Sequence, residues 1–301
     1  MKTAKLTKAV IPVAGLGTRL LPLTKAQPKE MLPVLDKPAI QYVVEEAVAA
    51  GIESVLMVTG RGKRVIEDYF DYAIELEHEL AAKGRQQDLD QVRRISDLVQ
   101  VFYVRQKLPR GLGDAILQAK AYVGGETFAV LLADDIIDSA VPVLKQMEEV
   151  HSRYPGIMLG VMQVAPSETA SYGIIEGTKV APGVWEVSRL VEKPSPKEAP
   201  SNLGIVGRYI LPPGIFTALE HTKPGKGGEV QLTDAMEAML SSDHVYAYEF
   251  QGTRYDVGDK LGLLKANVAL ALKRPDLGKE LQRFLDGIRA ESDAPSSRKV
   301  P

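Results

Sequence analysis

Residues 8–19 read Lys8-Ala-Val-Ile-Pro-Val-Ala14-Gly15-Leu16-Gly17-Thr18-Arg19, an apolar run that passes directly into a glycine-rich loop. A short run this apolar, without polar alternation, predicts a strand buried on both faces of a sheet. Gly15 and Gly17 come where that strand would leave the sheet, the position at which open α/β sheets bind ligands. The stretch therefore predicts the first strand of an α/β fold, with a ligand-binding loop after it.

Apolar runs and segments with helical periodicity alternate through the first half of the chain. Strands are predicted over residues 10–14, 54–59, 99–106 and 128–133, and helices over 40–50, 113–123 and 141–153. This alternation predicts right-handed crossovers and a mostly parallel sheet with helices on both faces. Later strands are predicted over 157–164, 184–191, 203–211 and 245–250, and helices over 260–272 and 277–288. Some of these later strands are longer, and apolar and polar residues alternate along them. We therefore expect a Rossmann-like sheet that is mostly parallel or mixed.

The predicted organisation is one α/β domain over residues 5–275, followed by a C-terminal helix and a loose tail over 276–301. A charged stretch over residues 61–97 interrupts the alternation. Within it, apolar residues recur at helical spacing, namely Ile66, Tyr69, Phe70, Ala73, Ile74 and Leu80. The pattern predicts a solvated helical insertion with one packed face.

Composition narrows the class of protein. The 301 residues include 37 Lys and Arg against 39 Asp and Glu, and a net charge of −2 argues against a nucleic-acid binder. No cysteine is present, which excludes disulfides and thiolate chemistry and fits a reducing compartment. No apolar run has the length of a membrane span, and residues 9–14 lack the features of a signal peptide. We expect a cytoplasmic protein without membrane or nucleic-acid partners.

The loop after the first strand carries a local excess of positive charge. Residues 1–30 contain six basic side chains and one acidic one, and Arg19, Lys25 and Lys29 are among the basic ones. Glycines allow backbone N–H groups to approach phosphate oxygens, so the loop predicts a polyphosphate ligand. Leu20 occupies the third glycine of a dinucleotide fingerprint, and no P-loop sequence is present. A nicotinamide dehydrogenase is therefore disfavoured.

The string over residues 14–19, followed by Pro28-Lys29, resembles the signature loop of the sugar-1-phosphate nucleotidylyltransferases. The likeness spans residues 5–275, and residues 28–34 together with the insertion favour the uridylyltransferase branch. The resemblance implies a nucleotide-diphospho-sugar transferase fold that makes UDP-glucose and pyrophosphate from UTP and glucose 1-phosphate. It also implies Mg²⁺ as cofactor and a homo-oligomer, either dimer or tetramer. In this family Arg19 and Lys29 would be catalytic, and the nucleotide would contact Ala14, Gly15, Gly17, Thr18 and Glu30.

The same resemblance assigns recognition of the nucleotide base to Gln106 and Gly111. A uracil edge presents an imide N–H flanked by two carbonyls, which one amide side chain and a glycine-turn backbone group can satisfy. The resemblance implies these two residues for that role. Asp114 departs from the pattern, because many uridylyltransferases have histidine there.

Asp134 follows a predicted buried strand, and the family's two metal ligands match Asp134 and Asp256. A carboxylate is costly to bury unless a cation pairs with it, and Mg²⁺ prefers oxygen ligands beside a triphosphate. Without metal, two nearby carboxylates are expected to raise each other's pKa. Ala133 and Asp135 depart from the uridylyltransferase pattern, and thymidylyltransferases carry a sugar-contacting asparagine at the equivalent of Asp135. A thymidylyltransferase therefore stays open as an alternative.

The sugar phosphate is assigned to Gly173, Glu192, Lys193 and Val206 by the same resemblance. It needs an acceptor for vicinal hydroxyls beside a cation for the phosphate, which suits Glu192 and Lys193. Residues 206–209 would form the wall of the sugar site. Residues 228–234 also match the family, either as part of the site or as the cap of a helix. A non-catalytic sugar-nucleotide sensor on the same fold is the alternative of a different class.

Overall fold

Nine strands form one mixed sheet in the computed structural model, which describes residues 5–293. Two small two-stranded sheets accompany it. The strands are β1 Lys8–Pro12, β2 Pro33–Val34, β3 Lys37–Pro38, β4 Ser54–Thr59, β5 Gln100–Arg105, β6 Phe128–Leu131, β7 Asp135–Asp138, β8 Ile157–Gln163, β9 Gly173–Ala181, β10 Val184–Glu192, β11 Leu203–Leu211, β12 Val245–Glu249 and β13 Thr253–Asp256.

The helices alternate with these strands through most of the chain. They are α1 Ala39–Ala49, α2 Arg64–Phe70, α3 Ile74–Ala82, α4 Gln86–Ser96, α5 Leu112–Leu117, α6 Lys120–Val123, α7 Val143–His151, α8 Ile215–His221, α9 Leu232–Met239, α10 Lys260–Lys273 and α11 Gly278–Asp293. Short 3₁₀ turns cover Thr18–Leu20, Leu23–Lys25, Lys29–Met31, Pro166–Ser171 and Lys226–Gly228.

The sheet order is β5-β4-β1-β6-β11-β8-β12-β10-β9. Neighbours from β5 to β6 are parallel, whereas β11 runs antiparallel to both β6 and β8. The predicted Rossmann-like mixed α/β sheet is confirmed. Because the carboxyl ends of β1, β4, β5 and β6 lie at one edge, the loops after them meet there.

Alternating side chains of β1 enter two cores on opposite faces of the sheet. Ala9 and Ile11 pack with residues of α1 and α7, and Val10 packs with residues of α5, α8 and α9. All three β1 side chains are fully buried. Helices therefore cover both faces, as the almost purely apolar run of the first strand predicts.

The insertion over residues 61–97 folds as α2, α3 and α4. Ile66, Phe70 and Leu80 are buried, as predicted for its packed face. The prediction is wrong for Ile74, whose side chain is 64% exposed, because α3 begins at this residue and its first turn faces solvent.

Several elements differ from the sequence prediction. The predicted helix over residues 113–123 is divided into α5 and α6, and β9 was not predicted. Strands β7 and β13 pair with each other across more than 110 residues, so no local pattern reveals them. Helix α11 continues to Asp293, and residues 294–301 of the predicted C-terminal segment lie outside the described residues. Within residues 5–293, no helix combines the length and apolar character needed to cross a bilayer.

Candidate active site

The glycine-rich loop lies at the carboxyl end of β1, as predicted. Gly15, Thr18 and Arg19 are exposed there. Thr24 Oγ1 donates a hydrogen bond of 2.7 Å to the Gly17 carbonyl, which closes the loop on itself. Gly60, after β4, lies beside Ala14. The loop therefore presents open backbone at the edge where the parallel strands end.

Two cations of this loop converge on the aspartate that follows β6. Lys29 Nζ lies 2.5 Å from Asp134 Oδ2, and Arg19 Nη2 lies 3.6 Å from the same oxygen. Arg19 Nη1 also lies 3.3 Å from Asp256 Oδ2, at the end of β13. Burial alone would lower the pKa of Lys29, but the Asp134 and Glu30 carboxylates outweigh it and raise that pKa. Four charged side chains predicted as catalytic or metal-binding therefore meet in one place.

Gly258 leaves a space between the two aspartates. A Cβ atom built on Gly258 would lie 2.7 Å from Asp134 Oδ2 and 2.9 Å from Asp256 Oδ1, so these two oxygens are no more than 5.6 Å apart, the sum of the two distances. Within residues 5–293, no group of three or more histidine or acidic side chains is arranged to hold a metal. Arg19 Nη2 would lie 2.6 Å from the same Cβ atom, so the Arg19 guanidinium lies between the two carboxylates in the protein alone. Two carboxylates this close suit Mg²⁺, which usually takes one or two carboxylates and completes its shell with water and substrate phosphates.

The expectation that the two aspartates raise each other's pKa is wrong for Asp134. Burial would raise the pKa of Asp134, but Lys29 and Arg19 outweigh it and hold that pKa below its usual value. The charge on Asp134 is therefore compensated by neighbouring cations without any metal.

Asp135 points away from these cations into a buried ion pair. Arg254 Nε donates to Asp135 Oδ1 at 2.7 Å, and the Gly207 N–H donates to Asp135 Oδ2 at 2.8 Å. Asp135 and Asp256 are paired residues of β7 and β13. Both oxygens of Asp135 are thus used within the protein, and the residue links β13 to the centre of the sheet.

Glu192, Lys193 and Gly173 lie together at the ends of β9 and β10. Glu192 and Gly173 are opposite residues of these antiparallel strands. Lys193 Nζ lies 3.2 Å from Glu192 Oε1, and Thr233 Oγ1 donates to Glu192 Oε2 at 2.7 Å. Thr233 belongs to the 228–234 stretch, so that stretch both begins α9 and positions an acid of the site.

A cavity of about 520 Å³ connects Asp134 and Asp256 with Glu192 and Lys193. This volume is typical of small-molecule sites. The lining from β11 is Ile205, Gly207 and Tyr209. The Val206 side chain is 2% exposed and packs in the core on the opposite face, so it is not available to a sugar.

Arg208 also faces away from this cavity. Its guanidinium is fully buried and binds Glu46 of α1, with Nη2 2.7 Å from Oε2. The predicted wall over residues 206–209 is therefore wrong for Val206 and Arg208 side chains, because alternate residues of a strand face opposite sides.

Gln106 and Gly111 lie side by side after β5. Gln106 Nε2 donates to the Gly111 carbonyl at 3.1 Å and to Asp114 Oδ2 at 2.7 Å. Gly111 has a φ of 99°, and a Cβ there would lie 2.7 Å from Glu229, so only glycine fits. Asp114 thus contacts the predicted base-reading side chain directly.

Glu30 is the predicted nucleotide contact that the structure buries most deeply. Its side chain is fully buried, and its Oε2 lies 2.7 Å from Lys63 Nζ at the start of the insertion. Its Oε1 has no hydrogen-bond partner within the described chain. Glu30 therefore joins the Lys29 turn to the insertion.

Arg254 is a residue of the site that sequence reasoning missed. It lines the cavity, donates to the Tyr172 hydroxyl at 2.8 Å and lies 3.5 Å from Asp256. A strand prediction over residues 253–256 would have placed Arg254 and Asp256 on one face, because alternate strand residues point the same way.

Comparison with known proteins places these features in a family. Residues 8–273 match the model of the family described as nucleotidyl transferase. A UTP–glucose-1-phosphate uridylyltransferase of Staphylococcus epidermidis is 52% identical over 281 residues, covering 93% of this chain and 98% of that protein. One from Bacillus subtilis is 49% identical over 284 residues, covering 94% and 96%. The crystal structure of a UDP-glucose pyrophosphorylase complexed with UDP-glucose superposes with a TM-score of 0.83 at 45% identity, covering 89% of this chain and 100% of that one.

Proposed function

The chain belongs to the nucleotidyl transferase family, and from this premise we propose that it converts UTP and glucose 1-phosphate into UDP-glucose and pyrophosphate. The observation that carries the proposal is the convergence of Arg19 and Lys29 on Asp134 and Asp256. The cavity beside them is also lined by Glu192 and Lys193, so a sugar phosphate bound there would lie close to these charged groups.

The reaction joins two polyanions. An oxygen of the sugar phosphate attacks the α-phosphorus of UTP, and the bond from that phosphorus to the bridging oxygen of the β-phosphate breaks, so pyrophosphate leaves with the electron pair. The attacking phosphate is already ionised at neutral pH, so no general base is required. Catalysis then depends on alignment and on positive charge beside the reacting phosphates.

The role proposed for each residue comes from the family resemblance and is supported by where its side chain lies. The exposed glycine-rich loop binds the triphosphate, while Arg19 stabilises the leaving pyrophosphate and Lys29 holds the α-phosphate. Lys193 binds the phosphate of the sugar substrate, and Glu192, oriented by Thr233, accepts hydrogen bonds from sugar hydroxyls. Gly173 offers its backbone to a hydroxyl from the opposite strand.

We propose Mg²⁺ as the metal, held by Asp134 and Asp256 in the space beside Gly258. Bound there, it would supply positive charge to the phosphates that meet at the α-phosphorus. Arg19 occupies the position between the two aspartates in the protein alone, and it turns to the pyrophosphate when the substrates are bound. A cytoplasmic location and a homo-oligomer stay predictions that accompany this function.

The test is a coupled assay of pyrophosphate release with UTP or dTTP against several sugar 1-phosphates, with Mg²⁺ or with EDTA. We expect the highest kcat/KM for UTP with glucose 1-phosphate, and loss of activity in EDTA that Mg²⁺ restores. A preference for dTTP would identify the thymidylyltransferase alternative. Binding of UDP-glucose without any turnover would identify the sensor.

A further inference from the structure

We propose that Asp114 is a positioning residue that fixes the orientation of the Gln106 amide and thereby selects uracil and thymine over cytosine. The inference rests on the proposed function and on the role that the family resemblance gives Gln106, recognition of the base of a pyrimidine nucleotide. It assigns a role to the aspartate that stands where many uridylyltransferases have a histidine.

The two hydrogen bonds of Gln106 identify which end of its amide is which. The partners of Nε2 are the Asp114 carboxylate at 2.7 Å and the Gly111 carbonyl at 3.1 Å. Both partners only accept hydrogen bonds, so the NH₂ end of the amide must face them. The oxygen end, Oε1, is directed the other way, and it makes no hydrogen bond to any residue from 5 to 293.

The Asp114 carboxylate is itself held in place. Arg110 donates to Asp114 Oδ1 through Nε at 3.1 Å and through Nη2 at 2.7 Å, which leaves Oδ2 for Gln106. The Asp114 side chain is 4% exposed, so water does not replace this contact. The surrounding turn is anchored as well, because the Gly113 N–H donates to the Val230 carbonyl at 2.9 Å.

An amide fixed in this way presents an acceptor toward the ligand edge of the sheet. Gln106 follows β5, and its N–H donates to the Thr59 carbonyl at 2.8 Å, which places it beside the end of β4, at the edge where the parallel strands end. The ring N3 of uracil or thymine carries a hydrogen and can donate to Oε1. The same atom of cytosine carries a lone pair, so it would face Oε1 as acceptor against acceptor. A polar group of the site that the wrong ligand leaves without a hydrogen bond discriminates strongly against that ligand.

Asp114→Asn tests this directly. The Arg110 guanidinium only donates hydrogen bonds, so it requires the oxygen of the substituted side chain, whose NH₂ group then faces the NH₂ group of Gln106. The present orientation of the Gln106 amide is then supported by the Gly111 carbonyl alone and opposed by the substituted side chain, so the preference for it falls. We expect the ratio of Kd for CTP to Kd for UTP, measured by calorimetry, to fall at least tenfold. The ratio of dTTP to UTP should stay within about twofold, because both bases carry the N3 hydrogen.

Three further variants make the result decisive. Asp114→Ala removes the acceptor without adding a donor and should lower CTP discrimination in the same direction, so it carries the test if Asp114→Asn does not fold. Gln106→Ala should abolish the discrimination. Asp88→Asn on α4 is the matched control, because it removes the exposed salt-bridge partner of Arg85. It should leave both ratios unchanged.

Unchanged CTP discrimination in folded Asp114→Asn and Asp114→Ala would overturn the proposal, and so would equal losses toward CTP and dTTP. Because the ratios come from binding, they do not depend on turnover. Absence of pyrophosphate release by the parent would overturn the proposed function instead.

Discussion

Asp134 connects the charged groups of the site, because it contacts both Lys29 and Arg19 and lies close to Asp256. Asp134→Asn should abolish most turnover. It should also lower the free energy of unfolding of the ligand-free protein, by about 2 kcal/mol, since a charge-assisted hydrogen bond to a largely buried lysine is lost. Urea unfolding without ligand, alongside pyrophosphate release, measures both effects.

Asp256→Asn is the control for that result. Its two cation contacts are longer than that of Asp134 with Lys29: 3.3 Å to the half-exposed Arg19 and 3.5 Å to Arg254, which keeps its bond to Asp135. Asp256→Asn should therefore lower the free energy of unfolding by less than Asp134→Asn does. If Asp134→Asn were as stable as the parent without ligand, repulsion between the two aspartates would outweigh their pairing with cations. Retention of near-parent turnover by either variant would remove that residue from the proposed metal site.

Some residues of the site could be predicted from the sequence, because their residue type and their position along the chain were enough to identify them. The loop glycines, Lys29 and Asp134 follow buried strands, so the topology alone brings them to one edge. Arg254 and Thr233 act through contacts with Asp135 and Glu192, and such contacts depend on long-range pairing. The Val206 side chain lies on the face of β11 away from the cavity, because a register of one residue decides which face a side chain occupies.

The insertion formed by α2, α3 and α4 is joined to the site through one buried ion pair, Lys63 with Glu30. Lys63→Met would leave a buried carboxylate unpaired, so we expect it to lower the free energy of unfolding by about 3–5 kcal/mol. The Lys83–Glu79 pair at the end of α3 has a similar distance, but both of its side chains are exposed. Lys83→Met should therefore cost less than about 1 kcal/mol.

The double variant Glu30→Met with Lys63→Met separates charge from packing. Replacing both partners removes the unpaired charge, so it should recover most of the stability lost in Lys63→Met. Equal unfolding free energies for Lys63→Met and Lys83→Met, measured in urea, would contradict a buried anchor for the insertion.

Elements predicted from local periodicity were found, and elements made by distant pairing were not. The strands β4 and β11 match their predicted ranges because each is a dense apolar run. The strands β7 and β13 are four residues each, and their pairing is visible only in the folded chain. Asp256 could be matched to the family by its sequence, but the strand that carries it could not be predicted.

The whole chain is organised around one sheet, which predicts one unfolding transition. Trp185 is the single tryptophan and lies on β10, far along the sheet from the glycine-rich loop. Fluorescence of Trp185 and far-UV circular dichroism should give the same midpoint in urea. Mg²⁺ with UTP should shift both midpoints equally, although the nucleotide is proposed to bind at the other half. Separate midpoints would contradict the predicted single domain over residues 5–275.

The position of β11 has a consequence for how the protein is made. This strand lies between β6 and β8 at the middle of the sheet, yet it begins 72 residues after β6 ends. At ribosomal rates of about 5–20 residues per second, β6 waits on the order of 4–14 s for its partner. Meanwhile the backbone of its open edge is a template for pairing with another chain, and all its side chains are ones that the finished protein buries completely. Nascent chains on one polysome are therefore most exposed to association with each other between the synthesis of residue 131 and that of residue 203.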